Sequence, residues 1–205
     1  GGLMNIVADA VLRGRSLPDA ADWAEDLPDT LRGQAMERVA DRFVDVDPAA
    51  AATWAEGFNG EPEGAGVIGE VGANWAWRDP QAALSWLEGL PASEGQSEGM
   101  ARALGAWAHR DLTAAGEHLQ AMSDSPARDA AVRGYSQRVA WEDPQAALGW
   151  AETITTPDQR REAIIGVGRA WNRRDSDAAA SWLNSADLPE DMRDAILSAP
   201  RPGRD

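Results

Sequence analysis

A repeat with a period of 32 residues constrains this chain more than any other feature. Asp79-Pro80-Gln81-Ala82-Ala83-Leu84-Ser85-Trp86 returns two periods later as Asp143-Pro144-Gln145-Ala146-Ala147-Leu148-Gly149-Trp150. Midway stands Asp111-Leu112-Thr113-Ala114-Ala115, with His118 in the column that Trp86 and Trp150 fill. Asp47-Pro48 leads to Trp54 one period before the first of these copies, and Asp175-Ser176 leads to Trp182 one period after the last. A degenerate first copy opens at Ser16 and leads to Trp23. A unit of this size cannot bury its apolar face alone, so such units stack and share a continuous core.

Each copy opens like a helix. Asp, or Ser in the first copy, is an N-cap whose side-chain oxygen accepts from an orphan backbone N–H. Its charge suits the positive end of the helix dipole. Pro at the following position removes no helical hydrogen bond there. Apolar residues then fall at +3, +4, +7, +8 and +11 from the cap, as in Ala82, Ala83, Trp86, Leu87 and Leu90. That is one face of a short helix, helix A.

The rest of each unit reads as a second helix, helix B, often preceded by a proline: Pro28, Pro62, Pro126, Pro157 and Pro189. Counting back from the next cap, position −11 holds Met36, Ile68, Met100, Val132 and Ile164. Position −8 holds Val39, Val71, Ala103, Tyr135 and Val167, and position −4 holds Phe43, Trp75, Trp107, Val139 and Trp171. Position −7 is mostly small (Ala40, Gly72, Ser136, Gly168), which lets neighbouring helices approach closely.

The pattern predicts an all-α fold: an α–α superhelix, or α-solenoid, of about six 32-residue helix–turn–helix repeats and about thirteen helices. One repeat domain then spans 1–205, with units starting near 16, 47, 79, 111, 143 and 175. An N-terminal half-repeat occupies 1–15, including a helix from Met4 to Arg13. A last helix runs from Glu190 to Ser198, and residues 200–205 form a frayed tail. Abundant Ala favours helices, and the scarcity of Val, Ile, Thr and Tyr argues against sheets.

Residues 75–86 carry the pattern Trp-x-x-x-Asp-Pro-x-x-Ala-x-x-Trp, and residues 107–118 carry it with departures at Leu112 and His118. This pattern resembles tandem repeats of uncharacterised bacterial proteins, over nearly the whole chain. The resemblance implies a helical-repeat fold of the broad kind that includes tetratricopeptide and HEAT arrays. The period departs from the 34 residues of the tetratricopeptide signature. The resemblance implies no activity.

Charge narrows the partners. The chain has 34 acidic residues against 19 cations, all of them Arg, for a net charge of −15. Such a field repels phosphate backbones and anionic membrane surfaces, so neither nucleic acid nor a membrane is expected as partner. There is no Cys, which excludes disulfides and thiolate metal sites and suits a cytoplasmic or an exported setting equally. No apolar run reaches the length of a membrane span.

The ten tryptophans fall into two groups. Trp23, Trp54, Trp86, Trp150 and Trp182 hold +7 of helix A, and Trp75, Trp107 and Trp171 hold −4 of helix B. These eight are expected in the core. Trp77 and Trp141 hold −2, about 200° around helix B from the core position −4. Across units the −2 column reads Asp45, Trp77, His109, Trp141, Arg173. On the same face lie Asp41, Ala73, Gly105, Gln137 and Arg169 at −6, and Arg38, Glu70, Arg102, Gly134 and Gly166 at −9. Aromatics beside Arg and small residues suit a protein- or peptide-binding groove. Its expected contacts are Trp77, Trp141, His109, Arg173, Arg102, Gln137 and Arg169.

Helix A carries a second ladder at +9: Glu25, Glu56, Glu88, Gln120, Glu152, Asn184. A solvated face is the simple reading, and a docking strip for a basic partner is the sharper one. His109 and His118 do not form a His-x-x-x-His pair, and no nucleophile elbow, phosphate-binding glycine loop or calcium loop occurs. The sequence thus predicts a non-enzymatic scaffold without cofactor or metal. The alternative is a structural protein that self-assembles through its ends or sides: the first helix, with Ile6, Val7, Val11 and Leu12, caps the array weakly.

Overall fold

The computed structural model describes residues 2–198; the tail expected at 200–205 lies outside them. Thirteen helices and no strand occur among the described residues. Seven helices form the B series: α1 (Gly2–Gly14), α3 (Asp29–Val46), α5 (Gly64–Arg78), α7 (Glu94–Arg110), α9 (Pro126–Val139), α11 (Pro157–Arg174) and α13 (Glu190–Leu197). Six shorter ones form the A series: α2 (Leu17–Glu25), α4 (Pro48–Glu56), α6 (Pro80–Gly89), α8 (Leu112–Ala121), α10 (Pro144–Glu152) and α12 (Ser176–Ser185). No described helix is long and apolar enough to cross a membrane.

The caps form as the sequence predicts. Ser16, Asp47, Asp79, Asp111, Asp143 and Asp175 each accept from a backbone N–H in the first turn of the following short helix. Asp47, Asp79, Asp111 and Asp175 serve two helices at once. Their own N–H groups donate back to Phe43, Trp75, Trp107 and Trp171, closing the preceding long helix. One extended residue therefore makes the whole B-to-A turn.

Every long helix packs against the next long helix, from α1 on α3 through to α11 on α13. The short helices α2 to α10 fit between the long helices on either side. The contact is most extensive among α5, α7 and α9. Glycine permits this at Gly134, where a Cβ would stand 1.8 Å from the carbonyl oxygen of Ala101 in α7. The core columns of the B series are buried at −8 throughout, and at −11 and −4 except for half-buried Ile164 and Trp75.

Two expectations need correction. On α6 the buried side is Pro80, Ala83, Leu84 and Leu87, so the apolar face is turned toward +5 and leaves Ala82 only half-buried. Of the eight tryptophans expected in the core, only Trp107 and Trp171 are buried. Trp23, Trp54, Trp75, Trp86, Trp150 and Trp182 are half-buried and pack against the core from its edge. Most of these rings lie along the seam where a long helix meets the short helix that follows it. There the rings pair across the unit boundary: Phe43 with Trp54, Trp75 with Trp86, Trp107 with His118, Tyr135 with Trp150, and Trp171 with Trp182, at centroid separations of 5.0 to 6.0 Å. Edge and offset aromatic pairs of this kind add roughly 0.5–1.5 kcal/mol beyond their area.

Candidate protein-binding surface on the long helices

The −2 column carries two exposed indoles. Trp77, at the end of α5, is 48% exposed, and Trp141 is 60% exposed. His109 of α7 is also exposed and stacks on Trp77, with centroids 5.5 Å apart and planes 27° from parallel. The two rings form a single aromatic platform spanning two long helices. Trp141 is not in a helix, as its register predicts, but in the turn after it. α9 ends at Val139, and its last turn tightens: Trp141 N–H donates to Arg138 and Glu142 N–H to Val139, each three residues back.

The backbone beneath both indoles is held by an arginine from one unit further on. Arg110 donates to the carbonyl oxygens of Trp77 and Arg78, and Arg174 donates to that of Trp141. Arg78 does the same to Val44 and Asp45, at 3.2 Å each, and pairs with the Asp45 carboxylate. These cations satisfy carbonyls that a helix end leaves open, and they suit the negative end of the dipole. Sequence reasoning missed them, although position −1 of three units is Arg.

The polar residues of the stripe divide into two sets. Toward α3 they are tied to one another. Arg38 pairs with Asp9 and Asp41, and Asn74 donates to Asp41 and Glu70. Arg102 pairs with Glu98 at 2.8 Å and Glu70 at 3.4 Å, and Arg133 also reaches Glu98. Burial pushes the Glu98 carboxyl up, but the guanidinium groups of Arg102 and Arg133 outweigh this and hold it below the usual carboxylate range. Arg169 is also engaged: its Nε donates to the carbonyl of Ala195 at 2.8 Å, tying α11 to α13. Gln137 and Arg173 are exposed. Of the seven expected contacts, Trp77, His109, Trp141, Gln137 and Arg173 thus face solvent, while Arg102 and Arg169 join successive long helices.

The acidic ladder on the short helices also has a structural share. Glu25 accepts from the Trp54 indole at 2.8 Å, and Glu56 accepts from Trp86 at 3.0 Å. Each bond links +9 of one unit to +7 of the next. Reading these two columns together, rather than one at a time, is the signal that finds the link.

No protein family, curated protein or solved structure matches the chain.

Proposed function

We propose that this chain is a non-enzymatic α-solenoid of about six 32-residue helix–turn–helix repeats that grips a protein or peptide along its long helices. The observation that carries this reading is the exposure of Trp77 and Trp141, while the eight in-register tryptophans are buried or half-buried. Leaving a large apolar ring in water forgoes roughly 1.5–3 kcal/mol of burial. Exposed tryptophans are also strongly represented among the residues that dominate protein interfaces. The restraint of both Trp carbonyls by Arg110 and Arg174 supports the same reading, since a held anchor loses less entropy on binding.

The test is affinity capture from the source cells, with the captured partner identified and its affinity measured. Trp77→Ala with Trp141→Ala is expected to weaken binding about a thousandfold, two anchors at roughly 2 kcal/mol each. The melting temperature should stay within a few degrees of the parent, because exposed side chains contribute little to stability. A large fall in melting temperature would place the two indoles in the core and remove the groove's main support.

A second reading has its own observation. Ile6 and Val7 on α1 are 64% and 40% exposed, and Leu197 on α13 is 50% exposed, so both terminal helices show apolar side chains to solvent. Self-assembly through these ends predicts a mass by light scattering that rises with concentration and returns to the monomer value in Ile6→Glu with Val7→Glu. A monomer at every concentration rules it out.

A further inference from the structure

The glutamate–indole link of the first units stops at His118. In two earlier units a glutamate accepts the indole N–H of the following unit's tryptophan: Glu25 from Trp54 and Glu56 from Trp86. The next acceptor in the series is Glu88, and the column that should supply its donor holds His118. Nε2 of His118 is buried without a hydrogen-bond partner and lies 3.9 Å from Oε1 of Glu88, beyond hydrogen-bond reach. The His118 ring packs on Trp107 of the preceding long helix, with centroids 5.3 Å apart.

Beside this pair is a cavity of about 610 Å³, between the turn joining α6 to α7 and the turn joining α8 to α9. Glu88 and His118 lie on its polar side with Gln96, Ser123 and Ser125, and Leu90, Ala121, Met122 and Pro126 form its apolar wall. The corresponding crevice one unit earlier is lined by Trp86, whose N–H is already given to Glu56. Around His118 the crevice meets a glutamate that receives no indole N–H.

We infer that this crevice binds a planar aromatic ring bearing one N–H donor, of the indole class, with the N–H directed at Glu88. The chain itself supplies the template, since its own indoles make this bond at 2.8 and 3.0 Å. The volume falls in the range of small-molecule sites, which pair apolar walls with few polar groups. Met122 adds a polarisable sulfur suited to an aromatic edge. The site is on the short-helix side, separate from the Trp77 platform, and does not depend on the proposed groove.

The full chain is titrated with indole, following the Met122 methyl and His118 ring resonances by NMR. Indole is expected to shift both saturably, and N-methylindole, which lacks the donor, to bind about fivefold or more weakly. His118→Trp refills the column and should reduce indole binding about tenfold or more. Glu88→Ala should bring indole down to the affinity of N-methylindole, and Glu88 is exposed enough for this change to leave the fold intact. N-acetyltryptophan amide separates the sources: binding like indole assigns the crevice to a partner's tryptophan side chain, and its exclusion while indole binds assigns it to a free small molecule. Equal binding of indole and N-methylindole, or indole binding unchanged in His118→Trp, overturns the inference. If His118→Trp does not fold, the N-methyl comparison and Glu88→Ala still decide.

Discussion

Gly134→Ala is expected to destabilise the protein by about 3 kcal/mol, although alanine is the better helix former. The same substitution one unit later, Gly166→Ala, is expected to stabilise it by about 0.8 kcal/mol. Both glycines hold −9 of a long helix, in α9 and α11, so register and helix propensity are matched. Their surroundings differ. A Cβ on Gly134 would lie 1.8 Å from the Ala101 oxygen and 2.6 Å from its carbonyl carbon, whereas a Cβ on Gly166 meets nothing within 4 Å. The obstacle at Gly134 is backbone, which cannot rotate away as a side chain can, so α9 must lift off α7. For a chain of this length each kcal/mol moves the melting temperature by roughly 2–4 °C. Thermal denaturation should therefore show Gly134→Ala about 10 °C below the parent and Gly166→Ala about 2 °C above it. A Gly134→Ala protein as stable as the parent would mean that α7 and α9 do not approach this closely.

That contrast also marks what the repeat makes legible. The caps at Asp47, Asp79, Asp111, Asp143 and Asp175 recur in one column and make a local bond, so a single sequence is enough to predict them. The all-helical fold follows from the same columns. Bonds between units involve two columns a period apart, and these were not legible one column at a time. The Glu25–Trp54 and Glu56–Trp86 links and the arginine clasps of Arg78, Arg110 and Arg174 are of this kind.

Features that occur in one unit only were the least legible. Trp141 sits at −2 by register, yet α9 stops at Val139 and places it in a turn. That unit has Glu142 where three others have Arg, and Glu142 accepts from Arg138 of the helix it follows rather than reaching the unit before. Of the candidate stripe, periodicity identified the exposed aromatics Trp77, His109 and Trp141. It did not show that Arg102 and Arg169 are engaged: Arg102 reaches Glu98 outside the stripe's columns and Glu70 one unit back in its own column, and Arg169 reaches the Ala195 carbonyl of α13. Helical period reports which way a side chain points; whether it is free depends on neighbours that the period does not specify.

Asp129 is the strongest unit-specific feature, and its loss should cost about 3 kcal/mol. It is fully buried in α9, and its carboxylate accepts four hydrogen bonds from the turn between α10 and α11. Thr155 gives its N–H and hydroxyl, each at 2.8 Å; Thr156 gives its N–H at 2.9 Å and its hydroxyl at 2.8 Å. Burial pushes the carboxyl up, and the four donors outweigh it, so it titrates below the usual carboxylate range. Between the folded and unfolded pKa values the unfolded chain binds more protons, so stability rises with pH there. The contribution is complete above the unfolded value, near pH 4, and is lost as pH falls through the lower folded value. Asp129→Ala removes the acceptor and leaves the backbone N–H groups of Thr155 and Thr156 without it, while Asp129→Asn keeps the shape and lies between Ala and the parent. Denaturant unfolding at pH 7 should rank them in that order. Repeated from pH 5 down to pH 2, it should show the parent approaching the Asn variant as acid protonates the carboxylate. Parallel curves for parent and Asn across that range would mean that the charge on Asp129 does not stabilise the turn.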